Sequence, residues 1–165
     1  MADHSVSLET IQDFLAQKRI AMVGVSRDEK DFSRMLFDEF VRRGYDMVAV
    51  NPAVPQIGGR KCYERLKNID RPVDAVLVMT RPEVTESVVR ECAELGIALV
   101  WMYRAGGVGA VSERAVEFCH EHGILVVPGH CPFMFWRDSH IGHRLHGFVM
   151  KIVGKYPRRG RALPV

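Results

Sequence analysis

Short, nearly uninterrupted apolar runs alternate with amphipathic stretches along this chain, and glycines mark most of the joints. Residues 20–23, 47–50, 75–79, 98–102 and 124–127 are runs of four or five residues, the pattern of strands buried on both faces of a parallel sheet. The stretches between them carry helical spacing. Ser7 is placed to cap a short helix with Leu8, Ile11 and Leu15 on one face. Over residues 31–43 the apolar positions are Leu36, Phe37, Phe40 and Val41, with Gly44 as the stop. Pro82 fits the first position of the next helix and Glu83 its first turn; Val84, Val88 and Cys92 mark the inward side, and Gly96 ends it. Ser112 caps a helix running through His122, with Ala115, Phe118 and Cys119 inward and Gly123 beyond.

Two stretches break the rhythm. Residues 51–61 hold Pro52, Pro55, Gly58 and Gly59 and read as an irregular connection, followed by a short helical turn at 63–66. After residue 127 comes an aromatic segment (Pro132, Phe133, Phe135, Trp136), then a helix over about 138–153, then a basic tail. Alternation repeated five times predicts an α/β fold, a doubly wound parallel sheet of Rossmann type with five strands in the order 3-2-1-4-5 and a C-terminal helical extension. Residues 1–132 form the expected domain, with 133–165 packed on it.

Composition changes this picture little. The chain has 165 residues, 47% hydrophobic and 26% charged, long enough for one sizeable core. The net charge of +3 is unevenly spread: residues 151–165 carry five basic side chains and no acid, leaving the first 150 residues at −2. That tail reads as a solvated end before it reads as a nucleic-acid arm. No apolar run is long enough to span a membrane, the N-terminus lacks a signal peptide's pattern, and Cys62, Cys92, Cys119 and Cys131 are too scattered for a disulfide framework. A cytoplasmic protein is the expectation.

The candidate chemistry sits at the first strand-to-helix turn. Gly24 follows the first strand where a tight turn needs no Cβ, and a turn opening a helix is a favourable place for a phosphate. In a doubly wound sheet ligands bind at the carboxyl ends of the strands where the order reverses. The order 3-2-1-4-5 puts that crevice between the first strand and the fourth, residues 98–102, so Gly24-Val25-Ser26-Arg27 should face Met102-Tyr103-Arg104-Ala105-Gly106-Gly107. Arg27, Lys30, Arg34, Arg81 and Arg104 are then all within reach of it, a set suited to several phosphates. An ordinary NAD site is disfavoured. The Gly-x-Gly-x-x-Gly fingerprint is missing, and Asn51-Pro52 stands where an acid would hold the ribose. A Walker phosphate loop is missing too.

Taken together, Val23-Gly24-Val25-Ser26-Arg27, Gly44-Tyr45, Val50-Asn51-Pro52, Ile57-Gly58-Gly59, Val100-Trp101-Met102 and Gly123-Ile124-Leu125-Val126-Val127 with Cys131-Pro132 beyond make the chain resemble the small bacterial CoA-binding proteins. These are similar to the CoA-binding domain at the N-terminus of the succinyl-CoA ligase α subunit. The resemblance covers about residues 8–132. It implies that Gly24, Val25, Ser26 and Arg27 hold CoA phosphates, that the Asn51-Pro52 loop lines the nucleotide, and that groups near Met102, Tyr103 and Arg104 contact the ligand. Met79, at the end of the third strand, joins the expected lining. Three departures stand out: Tyr103-Arg104-Ala105-Gly106-Gly107 replaces the family's more usual Gln-x-Gly, Pro128-Gly129-His130 precedes Cys131, and the extension past Pro132 lies outside the shared portion.

The resemblance also implies a binding or regulatory module for CoA or an acyl-CoA, without catalysis of its own. The ligase reaction needs a phosphorylated histidine on a further domain and a nucleotide-binding subunit. A homo-oligomer or a partner enzyme subunit stays open. The competing reading is a metal- or thiol-dependent enzyme using His140, His143 and His146, or Cys131 beside His130. The i, i+3, i+6 histidine spacing is poorer for one ion than i, i+4, so no metal is expected. Cys131 reads first as a packed residue at a strand end.

Overall fold

A computed structural model describes residues 6–136. Its seven strands are β1 (Arg19–Val23), β2 (Asp46–Val50), β3 (Gln56–Ile57), β4 (Arg60–Tyr63), β5 (Ala75–Val78), β6 (Leu99–Met102) and β7 (Leu125–Pro128). Four α-helices accompany them: α1 (Leu8–Ala16), α2 (Phe32–Arg42), α3 (Pro82–Glu94) and α4 (Glu113–Glu121). The strands form one sheet in the order β3-β4-β2-β1-β5-β6-β7, parallel throughout except that β3 runs antiparallel to β4.

Alternation along each strand divides the core into two layers. Ile20, Met22, Leu77 and Trp101 point to the side covered by Ile11 and Phe14 of α1 and Leu36, Phe37 and Phe40 of α2. Ala21, Val23, Val76, Val100 and Met102 point to the side covered by Val88, Val89 and Cys92 of α3 and Ala115, Val116 and Cys119 of α4. Trp101 is fully buried, donates its indole N–H to the Gly129 carbonyl at 2.8 Å, and meets Phe14 edge-on with centroids 5.2 Å apart. Phe133 and Met134, just past β7, belong to the first of these layers. The helix starts follow their side chains: Ser7 accepts from the Thr10 N–H, Asp31 from the Ser33 N–H and Ser112 from the Ala115 N–H.

The α/β parallel-sheet architecture is as the alternation predicts, with corrections. Residues 51–61 are not an irregular connection: they contain a hairpin, β3 and β4, closed by Gly58 and Gly59 at φ +57° and +73°. The expected helical turn at 63–66 gives way to the end of β4, which pairs with β2 through Ala49 opposite Cys62 and Val50 opposite Tyr63, and a 3-10 turn follows at Leu66–Asn68. The order 3-2-1-4-5 holds for the parallel strands only when β4 takes the third place. Every later strand then moves up by one, so the strand beside β1 is β5, not the run at 98–102. On α3, Val84 is 41% exposed and the fully buried Thr85 takes the inward position, set by how the helix is rotated against the sheet. The expected helix over 138–153 and the basic tail lie outside the described residues.

Candidate functional site at the strand ends

The strands end on a common line because each carboxyl end is tied to its neighbour. Gly24 N–H donates to Val50 O at 2.9 Å, Met79 N–H to Val23 O at 2.8 Å, Tyr103 N–H to Val78 O at 3.0 Å and Gly129 N–H to Met102 O at 2.8 Å. The order reverses between β1 and β5, so the crevice opens between the Gly24 turn and the Met79-Thr80-Arg81 turn. Gly24 has φ +93°, and a Cβ there would lie 3.1 Å from the backbone carbonyl of Met79 and 3.0 Å from the Thr80 methyl. A side chain at this position would wedge the two turns apart.

Beyond Gly24 the turn is wired internally. Val25 is fully buried, and its carbonyl accepts from Asn51 Nδ2 at 2.8 Å, while Asn51 Oδ1 accepts from the Ala53 N–H at 2.8 Å. Asn51 therefore joins the first loop to the second. The Ser26 N–H donates to Ser33 Oγ at 2.9 Å, Asp28 N–H to Ser26 Oγ at 3.1 Å and Lys30 N–H to Asp28 Oδ1 at 2.9 Å. Among the described residues, the N–H groups of Val25 and Arg27 carry no such bond. The start of α2 is already capped by Asp31, so that helix end offers an anion less than its position alone implies.

The five cations do not converge. Arg34 is 6% exposed; its guanidinium binds Asp38 at 3.0 Å, approaches Glu29 at 3.6 Å, donates to the Arg27 carbonyl and packs against Gly58. It holds the first turn and the hairpin in place. Arg27 and Lys30 are exposed on the turn, and Arg81 is exposed at the start of α3, across the crevice. Pro52 is exposed at the tip of the second loop. Arg104 lies elsewhere, at the end of β6 against the Gly129–His130 turn that follows β7. Two strand spacings separate β6 from β1, ~10 Å.

On that far side Tyr103 is half-buried, its ring 5.3 Å from Phe32 and its hydroxyl beside the Cys131 thiol. Burial pushes both groups up, Cys131 to about 11, so its thiolate is scarce at neutral pH. Cys62, Cys92 and Cys119 are also buried free thiols whose pKa burial raises. His130 follows Gly129 with φ +64°, an uncommon backbone for a residue with a Cβ. Burial, helped by the nearby Arg104 charge, holds its imidazolium down to about 4. Nothing in the sequence flagged its conformation, and Thr80 likewise carried no signal. No group of three or more potential metal ligands occurs among the described residues, and His140, His143 and His146 lie outside them. No helix among the described residues is long and apolar enough to cross a membrane.

A CoA binding domain family model matches residues 18–137. An uncharacterized protein, YneT, of Bacillus subtilis is 33% identical over 114 residues, covering 69% of this chain and 82% of that one. The α subunit of acetate–CoA ligase [ADP-forming] II of Pyrococcus furiosus is 25% identical over 126 residues, covering 72% of this chain but only 27% of that longer protein. Among solved structures, a hypothetical protein from Pyrococcus horikoshii OT3 superposes with a TM-score of 0.70 at 26% identity, over 77% of this chain and 87% of that one. With the Gly24 turn, the Asn51 loop and the strands behind them all inside the matched span, the chain belongs to the CoA binding domain family.

Proposed function

We propose that the protein holds coenzyme A or an acyl-CoA at the β1–β5 crevice, as a binding or regulatory module that leaves chemistry to a partner. The reading rests above all on the Gly24 turn: a glycine required by its φ and by Met79, flanked by exposed Arg27, Lys30 and Arg81 at the point where the sheet order reverses. In this reading the phosphates lie against Val25 to Lys30 and Arg81, the nucleotide lies along Asn51 and Pro52, and the pantetheine arm crosses Met79 toward Met102, Tyr103 and Arg104. Residues 1–132 act as the CoA-binding unit in the cytoplasm. The Pyrococcus furiosus relative, an α subunit of an acetate–CoA ligase, makes a partner subunit the natural source of catalysis. A thiol mechanism has no support from Cys131, which is 1% exposed and held protonated.

Calorimetric titration with CoA, NAD, ADP and ATP tests the proposal. Saturable one-site binding of CoA is expected, weakened at least severalfold in Arg27→Ala. Saturation by NAD with no heat from CoA would overturn it.

A further inference from the structure

The far end of the crevice holds a pocket of about 140 Å³ whose wall includes Arg104, Gly106, Gly107, Pro128, His130 and Met134. Its chemistry is distinct from that of the Gly24 turn. Arg104 is the one charged residue in its lining, no acid lines it, and Arg104 has no carboxylate partner among the described residues. Gly106 and Gly107 leave open space where side chains would stand, and Pro128 and Met134 supply apolar surface. His130 adds an imidazole to the wall, its Nδ1 buried without a hydrogen-bond partner among the described residues. An unpaired guanidinium beside apolar wall recognises a planar carboxylate, since its paired N–H groups match two oxygens. The volume sets a limit: a cavity of ~150 Å³ admits a molecule the size of benzene, about six heavy atoms.

We propose that this pocket receives the acyl end of a bound CoA thioester and selects short acyl chains that terminate in a carboxylate, with Arg104 pairing that carboxylate. The inference rests on the CoA reading above and adds the substrate class. The phosphates are not competitors for this arginine in that arrangement, because the reversal point lies two strands away, ~10 Å.

The test is calorimetry with length-matched pairs: malonyl- against propionyl-CoA, succinyl- against butyryl-CoA, and glutaryl- against valeryl-CoA, with free CoA and palmitoyl-CoA alongside. At least one carboxylated member should bind about tenfold more tightly than its neutral match. Palmitoyl-CoA should gain nothing over free CoA, and Arg104→Gln should bring the paired ratio close to one. Equal affinity within every pair, with CoA itself bound, would overturn the acyl assignment while leaving the CoA reading intact. An equal loss for CoA and all thioesters in Arg104→Gln would make Arg104 a phosphate ligand and also overturn it. Absence of binding by CoA and every thioester would sink the two together.

Discussion

The two ends of the strand-end crevice are built on opposite plans. At β1 the turn is held from several directions: Gly24 by β2, Val25 by Asn51, Ser26 by Ser33, and the Arg27 carbonyl by buried Arg34. At β6 and β7 the residues from Arg104 to Gly109 are exposed, and His130 sits in a left-handed conformation with one ring nitrogen unsatisfied. A pre-wired turn spends little ordering entropy on binding and suits a constant part of the ligand. A looser end with a strained residue and an unpaired cation suits a part that varies. CoA has both: an invariant nucleotide and an exchangeable acyl group.

The strongest way to break the contrast is Gly24→Ala. The φ of +93° and the contact with Met79 backbone should cost about 3 kcal/mol and abolish CoA binding, read by denaturant unfolding and calorimetry. A neutral substitution would remove the rigid half of the comparison. Next comes acid sensitivity at the other end. Burial holds the His130 imidazolium at about 4 against an ordinary 6.5, so the unfolded chain takes up the proton first as pH falls. Stability is therefore intact above pH 6.5 and lost progressively toward pH 4. Relative to His130→Asn, the native protein should lose on the order of 2–3 kcal/mol across that window. Parallel pH curves would contradict the burial.

Smaller effects sharpen the comparison. Arg27→Ala should weaken CoA about tenfold by calorimetry while leaving the unfolding midpoint within error. Asn51→Ala removes the bond to the Val25 carbonyl and frees the Ala53 N–H, which should cost about 1 kcal/mol of stability and loosen CoA binding in step. Least of all should happen with thiol reagents: the four buried cysteines predict less than one rapidly labelled thiol per native chain at neutral pH. Rapid labelling of Cys131 would revive a thiol mechanism.

What the chain revealed before its structure was known follows from physics that is local. Apolar runs, caps at Ser7 and Ser112, Pro82 at a helix start and the glycine stops are short-range signals, and they located the helices and the long strands. The hairpin was written in the sequence as well. Gly58-Gly59 between Ile57 and Arg60 is a two-residue turn signal, masked by Pro55 and by a strand only two residues long. Missing it displaced the crevice by one strand, because topology depends on counting every parallel strand. Other features were not local. That Arg34, beside its i,i+4 pair with Asp38, lies buried against the Arg27 carbonyl and Gly58 instead of facing the ligand, and that His130 turns left-handed beside Arg104, follow from packing between separate segments. Val84 and Thr85 trade places for a similar reason: the pattern fixed a helix but not its rotation against the sheet.

Amide chemical-shift mapping during titration addresses both ends at once. Free CoA should shift the amides of Gly24, Val25, Arg27 and Ala53 and leave Gly106, Gly107 and His130 nearly still; a short carboxylated acyl-CoA should shift the second set as well. Shifts confined to Gly106, Gly107 and His130 with either ligand, and none from Gly24 to Arg27, would contradict the account.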